Sequence, residues 1–579
     1  MKKILIGVAW PYVNGDLHLG HLAGYLLPAD IFARFQRMLG NDCIMVSGSD
    51  CHGTPITVAA DKEKITPTEI VKEYHTKDVE LFEAYNLSYN LYTKTTTENH
   101  KKVVQEMFLD LLKNGFITKG TMRQYYSETE SKFLPDRYVE GECPHCHAKN
   151  QRSDQCEACG RWLEDGELIE PVSKNTLTPV VLKDTEHYFL DLEKLTPQLT
   201  KYVESKHGIW RDWVYKEAIG WLKEGLKKRA ITRDMDWAVE LPVEELKKMP
   251  QEKQLSDYTG KNIYVWFEAV IGYLSAAIEW ESIDKDTKYT DGIFFKQEGQ
   301  TTGWKDYWLN PDCEIYNFMG QDNLVFHTLM WPGQLIGLDK GYTLPHNVVV
   351  NKFFSLEGKK FSKSRNWTIN SKKMSENYGT DLVRYYISAN LPENKDADFT
   401  WDSFITGVNN ELVANLGNFI NRTLKFLEAK YQGELSIDTF EIDPKIKSEI
   451  DDTYKRMSGY FFKCQFVNAL NDLMALSKFA NKYFDDQKIW VKIKDEPESA
   501  KIVMLNLLNV VENLGILMSP FIPTSSNKLH KMLGKEGVNP VLGVDLWKPN
   551  YSKSYKLREI VEILFAKLDP ATVLSKKDN

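Results

Sequence analysis

A His-Leu-Gly-His tetrad at residues 18–21 constrains the fold more than any other feature of this 579-residue chain. It follows an apolar run at residues 4–8 that predicts a buried β-strand, and it opens a helical pattern over residues 19–39 that Gly40 ends. A helix that starts after a strand points its unpaired N–H groups outward, and a glycine there lets a ligand approach the backbone. The tetrad therefore predicts an α/β fold with a polyphosphate site at this helix start.

The rest of the first 115 residues continues the alternation of strand and helix. A second apolar strand pattern covers residues 43–46, a capping box starts a helix at residues 66–69, and another helix begins near Glu98. Sheet patterns return at residues 263–267 and 314–319. This order predicts a doubly wound parallel sheet of the Rossmann type, because alternating strands and helices pack in that way.

Two other regions interrupt or follow that sheet. Between about Phe116 and Arg229 the alternation stops and four cysteines cluster, which indicates an insertion. After Trp401 apolar residues recur at helical spacing, which predicts an all-α helical bundle. The predicted boundaries are 1–115 and 230–345 for the two halves of the sheet domain, 116–229 for the insertion, 346–400 for a junction domain, 401–550 for the bundle and 551–579 for a helical tail.

Two further segments carry residues that suit phosphate and sugar binding. The sequence Lys-Phe-Ser-Lys-Ser at residues 360–364 predicts a mobile basic loop whose lysines supply compact positive charge. Residues 316–322 end a predicted strand at the sheet edge where doubly wound folds bind ligands. Taken alone, the first pattern is also typical of a solvated loop and the second of an ordinary strand-to-helix turn.

The eight cysteines fall into two groups, four of them isolated and four in two Cys-x-x-Cys pairs. The paired residues are Cys143, Cys146, Cys156 and Cys159. Four thiolates suit one tetrahedral Zn²⁺, and a site filled by protein ligands has no opening for a substrate, so this site is predicted to be structural. The alternatives are thiols without a metal, or His145 or His147 in place of one cysteine.

Charge and apolar patterning exclude several function classes. The formal net charge of −8 argues against general coating of nucleic acid but is compatible with a local basic face. The chain has no run of about 18 apolar residues, and its apolar start is too short for a signal peptide. With free thiols typical of a reducing compartment, these features predict a cytoplasmic protein without a membrane segment.

The tetrad and the basic loop, in this order, resemble the two signatures of class I aminoacyl-tRNA synthetases, and their surroundings resemble the methionyl-tRNA synthetases in particular. The resemblance runs from Ile4 to about Trp547. It implies ATP-dependent activation of L-methionine to methionyl-adenylate, followed by transfer to the 3′ adenosine of tRNA(Met), on its 2′-hydroxyl. The insertion is too short for the large editing domain of the leucyl, isoleucyl and valyl enzymes, which favours the methionyl family.

The resemblance also implies roles for individual residues. The catalytic group is His18, His21, Lys360 and Lys363, and the ATP-binding group is Gly20, Gly320, Asp322, Ser362 and Ser364. The methionine-binding group is Trp10, Tyr12, Asp50, Trp266, Ala269, Tyr273, Phe326 and His327. The anticodon-binding group is Asn418, Arg422 and Trp490. Asp50 is assigned to the substrate ammonium, and the aromatic residues are assigned to the thioether, which makes favourable contacts with aromatic rings.

The chain departs from the family pattern at four places. Phe361 replaces a methionine in the basic loop, and Asn-Lys-Phe at residues 351–353 replaces a His-Gly-aromatic triplet, which puts the adenine contacts there in doubt. Val270 replaces a common proline, and Trp10 stands where many members have leucine. We therefore expect the walls of the methionine pocket to differ in detail.

The resemblance further implies one structural Zn²⁺ per chain and Mg²⁺ that accompanies ATP. A monomer is expected, because family members that dimerise often use an appended C-terminal domain. Three other functions fit parts of the pattern: another class I synthetase, a tRNA-independent nucleotidyltransferase, and a zinc-stabilised nucleic-acid-binding module that retains a nucleotide fold. The amino acid that drives pyrophosphate exchange distinguishes another class I synthetase. A nucleotidyltransferase would form an adenylate without charging RNA, and a binding module would bind RNA without turning over ATP.

Overall fold

The computed structural model describes residues 1–135, 138–153, 156, 158–159, 163, 166–300, 302–361 and 367–576. Strand and helix alternate through the first part of the chain, as the sequence predicts. The elements are β1 (Lys3–Val8), α1 (Leu19–His21), α2 (Leu27–Met38), β2 (Asp42–Ser49), α3 (Thr54–Glu63), α4 (Pro67–Ala84), β3 (Leu91–Lys94) and α5 (Glu98–Lys113). A π-helical segment, Leu22–Leu26, joins α1 to α2 without a break. Gly40 follows with φ +74°, a left-handed conformation that favours glycine after a helix.

The region after α5 is a small antiparallel unit with two helices. Its elements are β4 (Ile117–Ser127), β5 (Lys132–Phe133), β6 (Val139–Glu142), β7 (Gln151–Arg152), β8 (Ile169–Ser173), β9 (Val181–Leu190), α6 (Leu192–Glu204), α7 (Asp212–Glu224) and β10 (Arg229–Ala230). The strands β4 and β9 pair along their length, and β6 pairs with β7 and β8 beside the cysteines. A separate hydrophobic cluster, which includes Cys143 and Cys156, forms the core beneath the cysteines.

The chain then returns to the main sheet. The elements are β11 (Thr232–Asp234), β12 (Val239–Glu240), α8 (Val243–Leu246), β13 (Lys261–Ile263), α9 (Val265–Glu268), α10 (Gly272–Ser282), β14 (Ile293–Phe294), α11 (Lys305–Trp308), β15 (Glu314–Gly320), α12 (Trp331–Leu338) and β16 (Asn347–Asn351). Within the described residues the main sheet has the order β14-β3-β2-β1-β15-β16. Five strands are parallel and β14 is antiparallel to β3, so the chain winds outward from β1 in both directions.

The prediction of a strand at residues 263–267 is wrong. Only Lys261–Ile263 is a strand, and it lies in a separate sheet with β11 and β12, while Val265–Glu268 is helical. A short apolar run does not distinguish a buried strand from a buried helix by its periodicity. Here the helix buries Phe267 and Glu268 and leaves Trp266 36% exposed.

A junction and a helical bundle complete the chain. The junction contains β17 (Phe354–Leu356), β18 (Lys359–Lys360), α13 (Ser371–Tyr378), α14 (Thr380–Ala389) and β19 (Ala397–Phe399). The bundle contains α15 (Trp401–Gly407), α16 (Asn418–Tyr431), β20 (Glu434–Ser436), α17 (Pro444–Phe462), α18 (Phe466–Gln487), α19 (Ile489–Asp495), α20 (Pro497–Met518) and α21 (Pro523–Met532). Another π-helical segment, Val408–Gly417, connects α15 to α16. One hydrophobic core is continuous from Ile4 in β1 to the bundle, so the bundle packs directly on the main sheet domain.

The C-terminal segment differs from the predicted helical tail. It contributes β21 (Ser554–Lys556), which pairs with β20, and one short helix, α22 (Pro570–Ser575). Before these elements the chain returns to the sheet domain, where Leu546 N–H donates to the Met38 carbonyl at the end of α2. These tertiary contacts, and not local periodicity, decide the conformation of the segment.

One helix, Pro497–Met518, is long and apolar enough to cross a membrane by length and composition. It is α20 of the bundle, and 83% of its most apolar window is buried inside the protein. Its apolar residues therefore serve as the core of the bundle.

Candidate active site

The tetrad at residues 18–21 starts a helix, as the sequence predicts. The Nδ1 atom of His18 accepts from the Gly20 N–H at 3.1 Å, and Nδ1 of His21 accepts from the His18 N–H at 3.1 Å. The two imidazoles thereby form a capping box, with ring centroids 4.0 Å apart. A Cβ atom at Gly20 would lie 2.8 Å from Cε1 of His18 and 3.3 Å from Cδ2 of Phe361, so a side chain at position 20 would collide with the His18 ring.

The basic loop approaches this helix start through Phe361. Its ring stacks on the His18 ring with centroids 4.4 Å apart and an angle of 9° between the planes. Lys360 lies beside it at the end of β18, with Nζ 4.2 Å from the centre of the Phe353 ring. Three predicted residues of the loop, Ser362, Lys363 and Ser364, lie outside the described residues.

The strand β15 ends beside the same helix start, because β15 and β1 are parallel neighbours in the sheet. Gly320 is the last residue of β15, and Asp322 follows in a single helical turn. Desolvation raises the pKa of Asp322, and the Lys360 ammonium opposes that shift. The carboxyl group that follows the end of β15 and the ammonium group of Lys360 therefore interact electrostatically.

Aromatic side chains from three elements form a pocket next to this edge. Trp266 donates from Nε1 to the Tyr12 hydroxyl at 3.2 Å and meets the Phe326 ring edge-on, with centroids 4.9 Å apart. Ala269 follows one turn after Trp266 and is half-buried. The predicted methionine residues of α9 and of the π-helical segment Phe326–Met330 therefore lie together.

A buried hydrogen bond between Tyr273 and His327 forms another part of the pocket. Burial lowers the pKa of His327 to about 4, so the ring is neutral at neutral pH. Its Nδ1 lies 2.8 Å from the Asn323 carbonyl, which can only accept, so Nδ1 carries the proton. Nε2 therefore accepts from the Tyr273 hydroxyl at 2.7 Å. Both side chains are held in one orientation without a net charge.

Trp10 is packed between two glycines. A Cβ atom at Gly272 would lie 2.6 Å from Cε2 of Trp10, and one at Gly48 would also collide with the indole. Among the described residues, no group accepts a hydrogen bond from the buried Nε1 of Trp10. The tryptophan that replaces a leucine thus fits because the facing elements carry glycine.

Asp50 is a buried carboxylate at the end of β2. Its backbone N–H donates to the Pro11 carbonyl at 2.8 Å, which places it beside the loop that carries Tyr12. No group of the described residues hydrogen-bonds to Oδ1 of Asp50. Burial, and then the negative charge of Glu268, raise its pKa well above the usual value. Burial therefore favours the protonated form of Asp50, and a cation such as an ammonium group would stabilise the ionised form.

Glu268 is a residue that the sequence analysis missed. It is fully buried, and its two oxygens lie 3.0 Å from Nδ1 of His52 and 2.6 Å from Nε2 of His100. Burial alone would raise the pKa of Glu268, but the hydrogen bonds from His100 and His52 lower it below the usual value. An acidic residue within an otherwise apolar helical run was the only signal available in the sequence.

The four paired cysteines converge in the insertion. Their Sγ atoms all lie within 4.8 Å of one another, and those of Cys146 and Cys156 are 3.5 Å apart. Backbone N–H groups at His145 and Cys159 point to the sulfurs of Cys143 and Cys156 at 3.4 Å. This set fits tetrahedral Zn²⁺, whose Zn–S bonds of about 2.3 Å require sulfurs about 3.8 Å apart.

The predicted anticodon residues lie at one end of the bundle. Asn418 and Arg422 are one turn apart on α16, and Nη2 of Arg422 lies 2.5 Å from Oδ1 of Asp485 on α18. The Arg422 guanidinium covers the Phe484 ring at 3.8 Å, and Trp490 stacks against the same ring at 6.1 Å. Trp490 is 47% exposed, so about half of its surface is in contact with solvent.

Asn351, where the family pattern has a histidine, is engaged inside the protein. It is 1% exposed at the end of β16, with Nδ2 donating to the Ala23 carbonyl at 3.0 Å. Its Oδ1 accepts from Arg211 at 2.5 Å. Both ends of the amide are therefore engaged inside the protein.

Comparisons with known proteins agree with this geometry. The family model "tRNA synthetases class I (M)" matches residues 4–424, and the model "Anticodon binding domain of methionyl tRNA ligase" matches residues 438–569. The chain is 42% identical to a methionine–tRNA ligase of Roseiflexus castenholzii, over 92% of this chain and 87% of the relative. It is 38% identical to that of Pelodictyon phaeoclathratiforme, over 99% of this chain and 80% of the relative.

A solved structure has the same fold. The Mycobacterium tuberculosis methionyl-tRNA synthetase bound by methionyl-adenylate superimposes with a TM-score of 0.75 at 22% identity, over 98% of this chain and all of that chain. The two family models, the curated relatives and the helix start with its neighbouring pocket lead to one conclusion. The chain belongs to the methionyl-tRNA synthetases, within the class I aminoacyl-tRNA synthetases.

Proposed function

We propose that this methionyl-tRNA synthetase carries out both half-reactions with the residues described above. In the first, the carboxylate of methionine attacks the α-phosphate of ATP, which forms methionyl-adenylate and releases pyrophosphate. In the second, the methionyl group passes to the 3′ adenosine of tRNA(Met), on the 2′-hydroxyl. Such chemistry requires positioning and charge stabilisation more than covalent work by the protein.

The observation that carries the assignment of the amino-acid site is the buried carboxylate of Asp50, whose Oδ1 has no hydrogen-bond partner among the described residues. We propose that Asp50 binds the substrate ammonium, while Trp266, Phe326 and Tyr273 enclose the thioether. A neutral His327 supports this, because a charged ring would penalise an apolar side chain in the pocket.

We propose that ATP lies across the carboxyl ends of β1 and β15. The α1 helix start would hold the phosphates with His18 and His21, and Asp322 would accept from the ribose hydroxyls. Lys360 and Lys363 would supply positive charge as pyrophosphate departs. Mg²⁺ would enter with ATP, whose phosphate oxygens are its preferred ligands.

The assay that tests this proposal is amino-acid-dependent pyrophosphate exchange with each of the twenty amino acids. We expect exchange with methionine alone among them, and charging of tRNA(Met) when tRNA is added. Exchange driven best by another amino acid would contradict the methionine pocket. Exchange without RNA charging would contradict the transfer step.

We propose that the four clustered cysteines hold one structural Zn²⁺, which the sulfur geometry supports. Elemental analysis of protein purified without chelator should give one zinc per chain, and Cys146→Ser should lose it together with the folded state of the insertion. Cys313→Ser, a change at an isolated cysteine, is the matched control and should retain the metal. A metal-free protein with normal folding and activity would contradict this proposal.

The cytoplasmic location and the monomeric state remain predictions. Fractionation of cells tests the first. Light scattering at micromolar concentration tests the second, with an expected mass of 67.0 kDa.

A further inference from the structure

A guanidinium group links the start of helix α18 to the sheet domain by hydrogen bonds, in addition to the apolar packing of Phe466. Arg211, just before α7, donates from Nη1 to the Val350 carbonyl at 2.5 Å and from Nη2 to the Cys464 carbonyl at 2.9 Å. Val350 is in β16, and Cys464 is in the turn between α17 and α18. One planar group thus links the main sheet to the bundle.

Asn351 extends this link to the helix that begins with the tetrad at residues 18–21, which we call the signature helix. Its Oδ1 accepts from Nη1 of Arg211, and its Nδ2 donates to the Ala23 carbonyl. Ala23 lies in the π-helical segment that follows His21 directly. Since an amide can donate and accept at the same time, Asn351 connects Arg211 to the helix that carries the phosphate site.

A buried acid fixes the other side of the same helix start. Glu393 is 6% exposed, and its Oε1 accepts from the N–H groups of Phe466 and Val467 at 2.6 and 3.2 Å. Burial raises the pKa of Glu393, and the nearby Arg211 opposes the shift. The first turn of α18 is therefore held against both Arg211 and the junction.

The far end of α18 carries the proposed anticodon surface. Asp485 pairs with Arg422 there, and Phe484 lies between Arg422 and Trp490. The helix has 22 residues and spans about 33 Å, since each helical residue adds about 1.5 Å. One continuous helix therefore joins the surface that would hold the anticodon to the link at the active site.

We infer that Arg211 and Asn351 are positioning residues for the transfer step. They fix the position of α18, and of the tRNA bound at its far end, relative to the signature helix. This inference rests on the proposed anticodon site. Adenylate formation needs only small molecules, so it depends less on that register. Transfer needs the 3′ adenosine at the adenylate, so it depends on how the bundle is set against the sheet domain.

The first test separates the two half-reactions. Arg211→Lys keeps the charge, but one ammonium cannot serve three acceptors from a planar fork. We expect the kcat of tRNA(Met) charging to fall about tenfold, with pyrophosphate exchange and the KM for tRNA changed less than about threefold. Equal losses in exchange and charging would overturn the inference, because Arg211 would then be a general stability residue.

Asn351→Asp provides a second variant, which carries the test if Arg211→Lys unfolds. It keeps an oxygen for Arg211 but removes the donor to the Ala23 carbonyl. We expect the same selective loss in charging. The matched control is Arg456→Lys, since Arg456 pairs with Asp472 on α18 but does not reach the sheet domain in the described structure. Unchanged charging by Asn351→Asp, or an equal loss in the control, would contradict the inference.

A double-mutant cycle between Arg211→Lys and Trp490→Ala tests the coupling itself. If α18 transmits the position of the tRNA, the loss caused by Trp490→Ala should be smaller in the Arg211→Lys background, by about threefold or more. Additive effects would overturn the inference while leaving the anticodon site intact. No effect of Trp490→Ala alone would instead refute the anticodon site.

Discussion

The proposed methionine pocket and the proposed anticodon surface are constructed in opposite ways. In the pocket, Tyr273 and His327 satisfy each other and are buried, so their orientation is set before any ligand arrives. At the anticodon surface, Trp490 is 47% exposed and Arg422 pairs with the largely exposed Asp485. In the proposed roles, a small substrate would meet side chains whose orientation is already fixed, whereas the tRNA would meet side chains that can exchange their partners.

The two regions also differ in their electrostatics. Asp50 and Glu268 are both buried, and the two histidines that hold Glu268 lie within the same core. Removing either histidine would leave the buried charge of Glu268 less compensated, which is strongly unfavourable. The exposed ion pair of Arg422 and Asp485 contributes little to stability by itself. Arg422 can therefore exchange Asp485 for a nucleic-acid partner at small cost in free energy. Changes in the pocket should therefore have larger effects.

The largest effect is expected for Asp50→Asn. Loss of the carboxylate should lower kcat/KM for methionine in pyrophosphate exchange about a hundredfold or more, because the ammonium loses a charge-assisted bond inside the protein. The matched control is Asp61→Asn, an exposed carboxylate in α3, which should change the rate less than twofold by the same reasoning. Normal methionine kinetics in Asp50→Asn would place the ammonium elsewhere.

The raised pKa of Asp50 predicts a pH dependence in the same region. The free enzyme retains a proton on Asp50 above the usual range, so the stability tied to this proton is present at low pH and is lost as pH rises through the raised pKa. Methionine binds the ionised form, so its affinity should increase with pH across that same window. Thermal shift titrations at several pH values measure this, and Asp50→Asn should abolish the dependence. A methionine affinity that decreases with pH would contradict the assignment.

A smaller effect is expected at the anticodon surface. Trp490→Ala should weaken charging of tRNA(Met) about tenfold to a hundredfold, as expected from the loss of one base-stacking contact of about 1–3 kcal/mol. Pyrophosphate exchange should be unchanged, because it needs no tRNA. Trp490→Phe keeps an aromatic face and is the control. Equal damage to both reactions would show that Trp490 supports the fold, and an intact preference for the methionine anticodon would place recognition elsewhere.

The smallest effect on activity is expected from His327, whose pKa is lowered to about 4. A depressed histidine pKa contributes stability above the unfolded value near 6.5 that is lost as pH falls toward 4. Between pH 6.5 and 5 this amounts to about 2 kcal/mol, at about 1.4 kcal/mol for each pH unit. His327→Gln should flatten the acid side of the unfolding profile in chemical denaturation at several pH values, while activation at pH 7.5 changes only a few-fold. An unchanged acid slope would mean that His327 is charged in the native state.

Much of the fold follows from local signals in the chain. The capping box at Thr66 and Glu69, the glycine after α2 and the start of α5 all lie where the sequence predicts them. Each depends on hydrogen bonds within a few residues, so the pattern contains the information. The helix at Val265–Glu268 and the extended C-terminal segment were mispredicted, because contacts with distant elements override their local preference.

The candidate site divides in the same way. Its residues were predicted from two short motifs and a family resemblance, and their roles stay predictions. The stacking of Phe361 on His18, the two histidines on Glu268 and the guanidinium link of Arg211 were not predictable, because they join residues far apart in the chain. The glycines that accommodate Trp10 also depend on which elements face each other in the sheet.

The sequence by itself therefore determined the family, the elements that carry the chemistry and the cysteines suited to zinc. Those features rest on residue identity and near-neighbour spacing, which the chain carries directly. Only the tertiary structure decided which charges are buried together, which tautomer His327 adopts and how α18 is tied to the signature helix. Burial and long-range hydrogen bonds set these properties, and both exist only after the chain has packed.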